Sequence, residues 1–155
     1  MYDPGQICDR GRFVCPLSDC DFVGPYSRFH LHFIDKHYNS TVPFQYDKYF
    51  PITINIDKKV IVLQEENCRD IYILHNATER PGNLISVSCF EPAWNGGVTY
   101  NIMVRSRRTP LRFDSCTKSI QKLDDEKTSL ASLLVPSNLF DSNGQLKLFI
   151  DIRGP

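Results

Sequence analysis

From Tyr49 onward, apolar and polar residues alternate with a period of two, the mark of strands with one buried face. Ile52, Ile54 and Ile56 fall on one side, with Thr53 and Asn55 on the other. Asp57-Lys58 turns the chain into the more continuously apolar Val60–Gln64, and Ile71–Leu74 follows. Ile85, Val87 and Cys89 alternate with serines; Tyr100, Ile102 and Val104 alternate with Asn101 and Met103. Leu111 with Phe113, and Leu146, Leu148, Ile150 and Ile152, complete the set. Arg80-Pro81-Gly82-Asn83, Asn95-Gly96-Gly97 and Ser142-Asn143-Gly144 supply the fixed φ of proline and the positive φ that Gly and Asn tolerate. Strands of this length and spacing predict an antiparallel sandwich or barrel. Pro51 predicts an edge strand, because it has no N–H for a central ladder. Segment 119–134 is ambiguous: its polar middle reads as an exposed loop, with Leu130–Val135 returning to the sheet. Ser137–Phe140 reads as a single helical turn.

Ahead of this β region the pattern changes. Cys15, Cys20, His32 and His37 form a Cys-x4-Cys-x11-His-x4-His run, a donor set that can complete a tetrahedral Zn²⁺ shell. Phe22 supplies an aromatic for a miniature core, Gly24-Pro25 a turn, and Tyr26–Lys36 a helix with Phe29 and His32 on one side. About 25 residues bury too little apolar area to fold unaided, so a structural metal makes physical sense. Chance co-occurrence and a Cys15–Cys20 disulfide are the competing readings. His30, two positions from His32, falls on a different face and is not counted as a ligand. The chain divides as a finger over 1–42 and a sandwich over 43–155, with Thr41–Lys48 as the junction.

Charge and composition narrow the chemistry. Lys+Arg and Asp+Glu are equal at 18 each, and between 1 and 42 five acids face four bases, so the finger lacks the basic footprint that phosphate binding relies on. The local exception, Arg105-Ser-Arg107-Arg108, reads as a solvated hairpin tip. No hydrophobic leader or membrane-length apolar run is present, which favours a cytoplasmic or nuclear location. The Asn39-Ser-Thr41 and Asn76-Ala-Thr78 matches to the glycosylation pattern then read as chance. Cys68, Cys89 and Cys116 read as small core residues. His75 reads as a surface histidine without a nucleophile, Asp124-Asp125-Glu126 as a solvated loop without calcium-loop spacing, and Gly96-Gly97 lacks a phosphate-loop lysine. The sequence therefore assigns no catalytic residue.

Cys15-Pro-Leu-Ser-Asp-Cys20 with Phe22, Gly24, His32 and His37, together with Leu133-Leu-Val-Pro-Ser-Asn-Leu-Phe140 running into Asn143-Gly-Gln-Leu-Lys-Leu148, resembles the seven-in-absentia (SINA/SIAH) ubiquitin ligases over nearly the whole chain. The resemblance implies a mainly β fold: a TRAF-like antiparallel β-sandwich preceded by a small, helix-containing SIAH-type zinc finger. Cys8 would correspond to the last ligand of a preceding finger; a free thiol or a spare ligand is the other reading of it. The resemblance also implies capture of short linear peptide motifs by edge-strand addition near the first sandwich strands, which nominates Ile52, Ile54, Val60 and Val62. Dimerisation through the sandwich belongs to the same implication. Recruitment of a ubiquitin-conjugating enzyme would need a RING, which does not precede Cys8 in this sequence. The leading expectation is the partner-recognition region of such a ligase. A non-catalytic adaptor of the same fold is the alternative, and a nucleic-acid-binding finger the outsider.

Overall fold

The computed structural model describes residues 12–90, 97–105, 110–123 and 131–154. Cys8, Arg107, Arg108, the Asp124-Asp125-Glu126 run and most of the Asn95-Gly96-Gly97 turn lie outside these residues. The chain opens with a two-stranded hairpin, β1 (Phe13–Val14) and β2 (Val23–Gly24), then helix α1 (Tyr26–Lys36) and a 3-10 turn over Tyr38–Ser40. Ten strands follow: β3 (Thr41–Phe44), β4 (Phe50–Asn55), β5 (Val60–Glu65), β6 (Ile71–Glu79), β7 (Gly82–Phe90), β8 (Thr99–Val104), β9 (Leu111–Cys116), β10 (Lys118–Ser119), β11 (Leu133–Pro136) and β12 (Gln145–Ile152). The molecule is mainly β, a sandwich with a helix-bearing module at one side.

One sheet runs β10-β7-β6-β5-β3, with β11 also on β7; the other runs β4-β12-β8-β9. Most pairings are antiparallel, but β3 runs parallel to β5 and β10 parallel to β7. The period-two pattern explains the layering. Ile54, Leu63, Leu74, Val87, Tyr100, Ile102, Leu148 and Ile150 meet between the sheets, while polar residues of β4 and β9 face solvent. Turn chemistry supports the joints. Gly144 has φ +73°, and a Cβ on Gly82 would sit 2.0 Å from the Val135 carbonyl oxygen, so only glycine admits β11 against β7. Pro51 lies on β4, whose one partner among the described strands is β12, as an edge strand requires.

Residues 71–76 of β6 are all buried, a departure from simple alternation. The reason is a second core on the outer face of the six-stranded sheet. There Val62, Ile71, Ile73 and Phe90 pack against Phe13, Phe29 and Phe33 of the finger and Ile120 after β10. Both faces of this sheet are thus dry. His75 is consequently buried, not at the surface, with its ring Nε2 3.2 Å from the Ser88 hydroxyl. Asn76 is buried too, and its amide donates to the carbonyls of Asn55 and Lys58, so no glycan can be attached there. Cys89 is a core residue, whereas Cys68 and Cys116 are exposed. The boundary drawn between 42 and 43 falls inside β3, which is a paired strand of the sheet and not a linker.

Candidate metal centre and adjoining groove

The finger hairpin and α1 bring four side chains together. Asp19, at φ 64°, turns the knuckle between Cys15 and Cys20. His32 sits in the last turns of α1, and His37 ends the helix, donating its N–H to the Phe33 carbonyl. Phe22 stacks on the His32 ring with centroids 4.2 Å apart, fixing its plane. The Sγ atoms of Cys15 and Cys20 and the ring nitrogens of His32 and His37 all lie within 4.8 Å of one another. Cys15 Sγ is 3.6 Å from His37 Nε2, and Cys20 Sγ is 3.2 Å from His32 Nε2 and 3.4 Å from His37 Nε2. A tetrahedral ion with ordinary Zn–S and Zn–N bonds would separate sulfur from nitrogen by about 3.6 Å. The donor set therefore fits a four-coordinate metal ion. His30 is outside the cluster, its Nδ1 3.0 Å from the Tyr26 carbonyl oxygen.

The protonation tendencies follow from burial. Burial, with a smaller contribution from the adjacent Cys20, pushes the Cys15 thiol up to about 12, so a cation is needed to hold a thiolate there. Burial, then the neighbouring His37 and Lys36, lowers the His32 pKa and keeps its imidazole neutral, the ligating form.

A second set of polar contacts escaped sequence reasoning. Asp70 accepts hydrogen bonds from the Tyr26 hydroxyl at the start of α1 (3.1 Å), from Tyr46 (2.6 Å) and from the Cys68 thiol (3.1 Å). Tyr46 also meets the Tyr72 hydroxyl at 2.7 Å. One carboxylate thereby ties the finger helix to both the β3–β4 loop and the sheet. The three tyrosines are 20 or more residues apart in pairs, and no local spacing signals the link.

Between finger and sandwich runs a groove of about 610 Å³. Leu17, Ser18, His37 and Asn39–Val42 form one wall; Ile52, Thr53, Asn55, Lys58, Val60 and Ile61 form the other. Of the four residues nominated for peptide contact, Ile52 and Val60 line this groove. Ile54 and Val62 have no exposed surface: Ile54 faces the inter-sheet core, and Val62 faces the finger. Both take core positions because β4 and β5 are covered on those sides.

Comparison with known proteins bears on this arrangement. No family model matches the chain. It is 27% identical over 147 residues to E3 ubiquitin-protein ligase SINA-like 10 of Arabidopsis thaliana, an alignment covering 94% of this chain and 42% of that protein. This similarity supports membership of the SINA/SIAH family. The mainly β sandwich with a helix-bearing Cys/His module agrees with the TRAF-like body and finger region that the family implies. The chain spans less than half the length of that SINA-like relative.

Proposed function

We propose that this chain is the partner-recognition region of a SINA/SIAH-type ubiquitin ligase, stapled by a structural Zn²⁺ at Cys15, Cys20, His32 and His37, and that its groove binds short extended peptides. The observation that carries the peptide reading is the way β3 ends. Asn76 donates its N–H to the Lys59 carbonyl and Glu66 donates to the Phe44 carbonyl. In an antiparallel ladder bonded pairs alternate, so Ile61 and Leu63 turn their backbone groups to β6, while Val60, Val62 and Gln64 turn theirs toward β3. The first paired residue of β3, Thr41, stands opposite Val62. Ser40 has already bent away, its N–H given to the His37 carbonyl. The N–H and C=O of Val60 thus point into the groove where β3 offers no strand residue. An extended peptide laid there would continue the row of β3, with Ile52 and Val60 supplying apolar contacts and Thr53, Asn39 and Ser40 polar ones.

Within the same proposal, ubiquitin transfer is carried by a part of the protein beyond this chain, and the sandwich also supports homodimers, which would pair two grooves. The metal would hold Leu17, Ser18 and His37 in place as the groove's finger-side wall.

An NMR titration with Pro- and Val-containing peptides tests the groove. Amide shifts at Val60, Ile61, Thr41 and Thr53 are expected, and Ser40→Trp, which fills the mouth, should remove binding without lowering the melting temperature. Shifts confined to other faces, or undiminished binding by Ser40→Trp, would overturn the reading. Metal analysis should find about one Zn²⁺ per chain; an intact finger in excess chelator would refute that part. A ubiquitination assay on the longer protein separates a ligase from an adaptor of the same fold.

A further inference from the structure

We propose that the outer face of the four-stranded sheet carries a separate docking site, for an acidic peptide segment, centred on Phe149. This face is not covered by the finger. Register places Phe149 of β12 between Pro51 of β4 and Met103 of β8, with Arg112 of β9 next in the same row. The Arg105 guanidinium lies 5.1 Å from the Phe149 ring centre and the Lys147 ammonium 5.4 Å from it. Arg105, Lys147 and Arg112 are exposed, and Phe149 is half-buried.

Among the described residues, neither Arg105, Lys147 nor Arg112 has a carboxylate within ion-pairing distance. On the same face Asp151 is buried and already paired with Arg153 at 3.1 Å, and Asp114, two residues along β9 from Arg112, forms no ion pair with it. A chain with equal numbers of acids and bases has therefore gathered cations around one aromatic ring.

The arrangement suits carboxylates. A ring face holds a cation by its quadrupole and leaves the N–H edges outward, so the Arg105 fork is oriented before a ligand arrives. An extended chain puts side chains i and i+2 on one side, about 7 Å apart. An Asp/Glu-x-Asp/Glu segment can then address two cations that share one ring at the same time. A duplex or long single strand gains affinity from many phosphate contacts. Three cations at one corner of a neutral protein match a short acidic peptide better.

Fluorescence anisotropy with a labelled Glu-Ser-Glu-Ser-Glu peptide tests this. Binding that weakens as salt is raised is expected, with no binding of the Gln-Ser-Gln-Ser-Gln counterpart. Arg105→Gln with Lys147→Gln should lower affinity at least tenfold, and Lys147→Gln alone should lower it less. Phe149→Leu should weaken binding several-fold, because the cations lose their platform, while the melting temperature holds. Ser40→Trp should leave this binding unchanged, so the groove and this site succeed or fail separately. Equal binding by the double variant, equal binding of the glutamine peptide, or tighter binding of a single-stranded oligothymidylate would each overturn the proposal.

Discussion

The finger and the sandwich are held together by different physics. The sandwich closes on a dry layer in which strand after strand contributes alternating Ile, Leu, Val and Tyr, and cross-strand packing supplies the stability. The finger has two strands of two residues each and one 11-residue helix. Helices this short are marginal by themselves, and the finger's Phe13, Phe29 and Phe33 complete their burial by lying on Ile71, Ile73 and Phe90. With the proposed metal bound, the finger is held by a cross-link at one end and by the sheet beneath it. The sheet in turn depends on the finger to cover its outer face.

The largest effect expected concerns the cross-link. Removing the ion assigned to Cys15, Cys20, His32 and His37 forfeits a binding energy of about 10–16 kcal/mol in comparable zinc modules. By hydrogen exchange, α1 should lose protection while the β6 and β7 amides keep theirs, and a hydrophobic dye should bind the uncovered Ile71, Ile73 and Phe90. Simultaneous loss of β6 and β7 protection would show that the two regions form one cooperative unit. Next in size, Leu74→Ala opens a cavity between the sheets and should cost about 2–5 kcal/mol by denaturant unfolding. The loss should appear equally in probes of finger and sandwich, because the sheet is the finger's floor. Asp70→Ala removes the acceptor shared by Tyr26, Tyr46 and Cys68 and should cost about 1–3 kcal/mol. The smallest effect expected is for Tyr26→Phe, at about 0.5–1.5 kcal/mol, felt more in α1 exchange than in global unfolding. If Tyr26→Phe matched Asp70→Ala, the clasp would act on the finger alone.

Much of the body was legible. Alternation located β4, β7, β8, β9 and β12, a continuous apolar run located β5, and Pro51 and Gly144 marked an edge and a turn, because each rests on a local rule of side-chain direction or φ. The Cys/His spacing gave the convergent cluster for a similar reason: a knuckle and one helix place all four donors within 23 residues. Three elements escaped. β3 looked like a junction because Thr41–Phe44 is short and carries Pro43. β10 is two residues long and pairs in parallel with a strand 30 residues away. The finger hairpin is likewise too short for a period to show.

The nominated peptide contacts divide for the same physical reason. Ile52 and Val60 face the groove, while Ile54 and Val62 on the same sides of their strands are buried, and only the arrangement of finger and sheets decides where along β4 and β5 the cover stops. The sequence alone determined that the chain makes alternating strands, a metal-competent knuckle and one amphipathic helix, since those follow from spacing and backbone chemistry within a few residues. Tertiary structure alone decided that β6 is buried on both faces, that Asp70 joins distant tyrosines, and that β3 stops short of Val60. Those outcomes depend on contacts between residues far apart along the chain, whose energies no local pattern encodes.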